Sequence, residues 1–159
     1  MEHTAINTGM EHEIILDTNR LLEQVYALAA LQGALGTGPR REEILGPDRS
    51  EAIGRVMDGA LTMLVMAVAR HIADYDSDCE AGILSVTLRS VPAADGSARM
   101  ARRLMERFIV MKTLEWAYAE IDPELAGRWC SESAQAAEAL DRLLDTSTWH
   151  DALITAHPW

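Results

Sequence analysis

Four long runs of helically spaced apolar residues, an aromatic content of only 5%, and one short stretch of strict apolar/polar alternation predict an all-α fold. The expected architecture is a bundle of four main helices with one short extended segment near residues 83–91. The clearest element is a helical hairpin hinged at Asp122-Pro123-Glu124. Asp122 can accept from the free N–H groups of a new helix, Pro123 stands where its missing N–H costs nothing, and Glu124 faces the positive end of the dipole.

In chain order, residues 1–13 read as a flexible acidic arm, 14–145 as a single helical domain and 146–159 as a C-terminal tail. Asp17 or Thr18 caps a first helix that runs to about Leu35 through Leu21, Leu22, Val25, Tyr26, Leu28, Ala29 and Leu31. Gly36-Thr37-Gly38-Pro39 stops it, and a loop carrying Arg40 and Arg41 leads to Gly46-Pro47. Asp48 caps a second helix, with Glu51 as its reciprocal partner. From Ile53 to Ile72 that helix carries a wide apolar face, broadened by Met63, Met66 and Ala67. It belongs at the centre of the bundle or under another subunit.

Residues 74–82 break the pattern as an acidic loop. Leu84, Val86 and Leu88 then alternate with Ser85, Thr87 and Arg89, the period of a strand. A lone strand leaves its backbone unsatisfied. Its partner is Ile14-Ile15-Leu16 or a neighbouring subunit, unless the segment simply lies extended over the bundle. The third helix spans about Ser97 to Glu120, burying Ala101, Leu104, Met105, Phe108, Ile109, Met111, Trp116 and Tyr118. The fourth spans Pro123 to about Asp145, with Leu125, Trp129, Ala136, Ala137, Leu140, Leu143 and Leu144 inward. Trp116 and Trp129 flank the turn and are expected to pack the hairpin end.

The formal net charge of -11 disfavours nucleic-acid backbones and anionic membrane surfaces. The longest apolar run, Ala60 to Ala69, is too short to cross a bilayer, and the first residues lack the pattern of a signal peptide. The expectation is a soluble cytoplasmic protein. Cys79 and Cys130 form no zinc-type pair, and nothing in the sequence requires or forbids a disulfide between them.

No motif that carries chemistry is complete in this sequence. Asp74, Asp76 and Asp78 imitate the start of a calcium loop, but Cys79 replaces its glycine and Ser85 its bidentate glutamate. No histidine has a glutamate three residues before it, as a di-iron bundle needs. His71 reads as a helix-end residue that satisfies backbone carbonyls. His3 and His12, beside Glu11 and Glu13, are placed to bind only adventitious metal. Gly33-Ala34-Leu35-Gly36-Thr37-Gly38 ends a helix and meets Pro39, whereas a phosphate loop starts a helix and carries lysine. No nucleophile motif is present. The sequence therefore points to no catalytic residue, no cofactor and no metal.

What remains are candidate partner contacts. These are the alternating Leu84, Val86 and Leu88, the arginine ladder Arg99, Arg103 and Arg107 beside Arg102, and the tail residues Trp149 and Trp159. Against a binding role for the arginines stand Glu106 and the overall charge, which suit a solvated, salt-bridged face.

The order of features from Asp48 onward resembles small helical proteins of tailed-phage and prophage structural clusters, of the head–tail adaptor (neck connector) kind. The likeness lies in the long apolar helix from Ser50-Glu51-Ala52-Ile53 to Ala73-Asp74-Tyr75, and the short extended segment Ile83 to Val91. It continues in the Asp122-Pro123-Glu124-Leu125-Ala126 turn and the last helix Ala134-Gln135-Ala136-Ala137-Glu138-Ala139-Leu140-Asp141-Arg142-Leu143-Leu144. It spans about residues 48–145 and rests on pattern. It implies a non-enzymatic virion or assembly protein that self-associates or docks into a ring, cytoplasmic or virion-associated in a host cell, with no catalytic residues. The alternative is a small helical binding or regulatory module whose Met57, Met63, Met66, Met100, Met105 and Met111 enclose an apolar ligand or a partner helix. A metal-dependent helical enzyme ranks third.

Overall fold

The computed structural model describes residues 11–35, 49–78, 81–91 and 96–156, with side chains as far as Asp145 apart from Ser50. Its elements are β1 (His12–Asp17), α1 (Thr18–Ala34), α2 (Ser50–Ala67), β2 (Ile72–Asp78), β3 (Ile83–Leu88), α3 (Ser97–Tyr118) and α4 (Pro123–Ala156). The four expected helices are present. The fold is α-rich rather than all-α, because three strands form an antiparallel sheet in the order β1-β3-β2.

The predicted segment is thus the central strand of a sheet. Of the pairings the sequence allows, the structure has Ile14 opposite Val86, Ile15 opposite Ser85 and Leu16 opposite Leu84. On its other side β3 pairs with β2, with a register shift between Ile72 and Asp74. The inner face presents Ile14, Leu16, Ile72, Leu84, Val86 and Leu88 to the helices, and all six are buried in one continuous core. His12 and Glu13 belong to β1, so the expected arm loses its last two residues to the sheet.

β2 is the element that sequence reasoning misassigned. The second helix was expected to reach Ile72, but it ends at Ala67. A 3-10 turn, Ala69–His71, leads directly into the strand. The Asp74, Asp76, Asp78 spacing that imitates a calcium loop is the period of a strand, pointing all three carboxylates to one face. Aspartate disfavours strands, but here the strand is an edge. Charges on an edge strand also deter pairing with another chain. The β2–β3 hairpin closes through Gly82 at φ 70°, a conformation that glycine adopts freely. Gly82 O accepts from both the backbone N and the Oγ1 of Thr18, at 2.9 Å each, so the hairpin turn is tied to the start of α1.

α1 begins as expected, with the Asp17 carboxylate accepting from Asn19 N at 2.9 Å. The proposed Asp48 cap lies outside the described residues. At the α3–α4 hinge, Asp122 Oδ1 accepts from Leu125 N at 3.1 Å, the predicted cap. Asp122→Ala is expected to cost about 1 kcal/mol, measured by urea unfolding. α4 continues past the expected boundary at Asp145: its backbone is helical to Ala156, with no proline before Pro158 to stop it. The predicted tail 146–159 is therefore mostly helix.

Candidate functional site

The first cluster forms where α2 turns into the sheet. The 3-10 turn fixes His71 by two backbone bonds: His71 N donates to Val68 O at 2.9 Å, and Arg89 N donates to His71 O at 2.8 Å. The His71 ring is 10% exposed, and its Nε2 lies 3.2 Å from Asp141 Oδ1 and 3.3 Å from Asp145 Oδ1. These aspartates are four residues apart on α4 and so share one face. The expectation that His71 caps a helix end is corrected: its ring reaches across to another element.

Arg70, more exposed, stands on the solvent side. Its Nη2 lies 2.8 Å from Asp141 Oδ2 and 2.5 Å from Asp145 Oδ2, and its Nε 3.3 Å from Asp141 Oδ1. The hydrogen bond from Arg70 is the main reason the Asp141 carboxyl titrates below its ordinary value; partial burial opposes this, and the charges of Arg70 and His71 support it. The same carboxylates hold the Arg70 guanidinium above its ordinary value, with the Asp141 hydrogen bond foremost. A depressed folded-state pKa stabilises the fold above the unfolded value of about 4, and that stabilisation is lost as pH falls through the folded value. Wild-type protein should therefore lose more Tm than Asp141→Asn as pH is lowered through this window, measured by scanning calorimetry.

The second feature is an apolar strip along α2 and the C-terminal half of α3. Val56, Gly59, Ala60 and Met63 face Lys112, Glu115, Trp116 and Ala119 across a groove of about 370 Å³. A second hollow shares Trp116 and Ala119 with it and is otherwise lined by Arg49, Ala52, Ala117, Glu120 and Ile121. Met63, Trp116 and Ile121 are exposed in the strip, and Met66, on α2 nearby, is 74% exposed. Lys112 Nζ and Glu115 Oε2 pair at 2.9 Å beside the groove and neutralise each other.

The structure separates the sequence's candidate contacts. Leu84, Val86 and Leu88 are core residues on a strand paired along both edges. In this fold they offer a partner neither side chains nor backbone, which corrects their reading as docking residues. Arg99 and Arg103 are exposed on α3, whereas Arg107 pairs with Glu132 of α4 at 3.1 Å. Glu106, read as part of a solvated face, is buried at 8% exposure. Trp149 falls on the helical backbone of α4 with its side chain outside the described residues; Arg40, Arg41 and Trp159 lie outside them altogether.

The six methionines do not share one interior: Met57, Met105 and Met111 are buried, and Met63, Met66 and Met100 are exposed. The apolar strip was foreshadowed by the excess apolar width of the second helix. The His71 cluster had only one signal in the sequence, the four-residue spacing of Asp141 and Asp145. Among the described residues no helix is long and apolar enough to cross a membrane. Comparison with protein-family models, curated proteins and solved structures finds no match for this chain.

Proposed function

We propose that this chain is a non-enzymatic structural or assembly protein of the phage or prophage type, similar in role to a head–tail adaptor, and that it works through contacts between copies of itself. The observation that carries this reading is the exposed apolar strip centred on Trp116 and Met63. Large side chains left in water beside a groove are the mark of a surface that another polypeptide covers. The resemblance of residues 48–145 to neck-connector proteins supports the choice of system.

Charge favours a second copy as the occupant. With a net charge of -11, two chains repel each other over most approaches. The groove is different: apolar at its centre, its Lys112 and Glu115 paired, it lets like chains meet without unpaired like charges. The exposed helix surface also makes the alternative reading concrete, because a groove between two helices accepts a partner helix.

Gly59 supplies a clean test. A Cβ built there meets nothing within 4 Å, and glycine in a helix interior is replaced by other residues with a gain of about 0.5–1 kcal/mol. Gly59→Glu should fold normally by circular dichroism while placing a charge in the groove. Light scattering after size exclusion should show an oligomer for the wild type and a monomer for Gly59→Glu. A wild type that stays monomeric at high concentration overturns self-association.

A further inference from the structure

We propose that His71, Asp141 and Asp145 bind one divalent transition-metal ion of the zinc class, through His71 Nε2 and one oxygen of each aspartate, with water completing the coordination. This inference is independent of the reading above. It concerns residues that do not line the groove and needs no partner.

The spacing of the donor atoms is the primary argument. A tetrahedral zinc ion with bonds of about 2.0–2.1 Å holds neighbouring ligand atoms about 3.3 Å apart. The Nε2 atom of His71 is 3.2 Å from Asp141 Oδ1 and 3.3 Å from Asp145 Oδ1. All three donor atoms lie within 4.8 Å of one another. The donors also come from rigid parts. The histidine is fixed by backbone bonds on both sides, and the aspartates stand one turn apart on the longest helix.

Access and outer support match the same role. The imidazole is nine-tenths buried and aimed at the carboxylates, while the aspartates are about one-third exposed, which leaves a path for the ion and for water. The carboxylate oxygens are divided in use. The Oδ1 atoms of both face His71, and the Oδ2 atoms of both accept from Arg70. Ligating carboxylates are usually oriented by such an outer hydrogen-bond donor. Only the 3.3 Å contact from Arg70 Nε to Asp141 Oδ1 competes directly with the ion. Two carboxylates face the one guanidinium of Arg70, and this excess of negative charge favours a cation.

The donor chemistry selects the ion. One imidazole nitrogen with two carboxylate oxygens suits zinc, cobalt or nickel. Calcium prefers six or more oxygens, and magnesium an octahedral, largely hydrated shell. A bound ion would join the start of β2 to α4 across 70 residues of chain, adding a cross-link where the two layers meet.

The test uses the full-length chain stripped with chelator and then titrated with zinc chloride by calorimetry, with magnesium and calcium chloride in parallel. The expected result is one zinc per chain and a raised Tm, little response to magnesium or calcium, and at least tenfold weaker zinc binding in both His71→Gln and Asp145→Asn. Arg70→Gln, which keeps all three ligands, should still bind. Should the ligand variants prove unstable, cobalt absorption of the folded wild type, compared with Arg70→Gln, reads the ligand field directly: tetrahedral-type bands support the site, and the spectrum of the hydrated ion overturns it. No binding of zinc at micromolar concentration overturns the proposal and leaves the cluster as an ion-pair network. Binding that survives His71→Gln but is lost when His3 and His12 are replaced also overturns it, by assigning the metal to the N-terminal segment.

Discussion

Leu16→Ala is expected to destabilise the protein by about 2–5 kcal/mol, while Ile15→Ala, one residue away, should cost less than about 1 kcal/mol. Leu16 is 0% exposed and faces the helices beside Leu84, whereas Ile15 is 47% exposed on the opposite face of β1 beside Ser85. The contrast follows from the two-residue period of a strand, in which a one-residue slip exchanges inside for outside. Removing the methine and two methyl carbons of Leu16 loses their transfer free energy and leaves a cavity in the core that Leu16 shares with Leu84, its partner across the strands. Urea unfolding of the two variants measures both values with the same slope, because neither substitution changes the surface exposed on unfolding by much. Equal effects at the two positions would mean that residues 12–17 do not pair with β3 in this register.

The α3–α4 hairpin was legible because its signals are local: Asp122, Pro123 and Glu124 specify a helix start within three residues, and the Asp122 cap is made as they imply. The N-terminal strand was half legible. Ile14-Ile15-Leu16 offered a partner for the alternating segment, but the choice among partners depends on how the helices bring residues 12–17 and 83–88 together, which no local pattern carries. β2 was not legible, because its aspartates are poor strand formers and their alternation has a competing calcium-loop reading. The pairing of Ile72 with Leu88 and of Tyr75 with Val86 outweighs that propensity. The His71 cluster was hidden for a similar reason. Its histidine and aspartates stand 70 residues apart, and only the early end of α2, itself missed, turns the His71 ring toward α4. The apolar strip was visible as surplus hydrophobicity on the second helix, though the sequence alone left its placement, inside the bundle or beneath another subunit, undecided.

The two hinge tryptophans should separate stability from association. Both were expected in the hairpin core, yet Trp129 is 7% exposed and Trp116 39%. Trp129→Ala should cost about 3–5 kcal/mol, because a large ring is removed from packing between α3 and α4 that cannot close over the space. Its Nε1 is buried without a hydrogen-bond partner, so the indole N–H adds nothing that phenylalanine lacks, and Trp129→Phe should recover most of the loss. Trp116→Ala removes a half-exposed ring that lines both hollows, at a smaller cost to the isolated chain. If copies of this chain meet there, Trp116 has the features of a central anchor: aromatic, flanked by pockets and ringed by polar residues. Its truncation should then weaken association by about 2 kcal/mol or more, roughly thirtyfold in Kd. Sedimentation across a concentration series measures the Kd, and thermal unfolding of the dilute monomer measures stability. Loss of association with a nearly unchanged monomer Tm in Trp116→Ala, set against the reverse in Trp129→Ala, places the interface on α2 and α3. Unchanged association in Trp116→Ala removes that strip from the interface and leaves the exposed arginines of α3 as the next surface to examine.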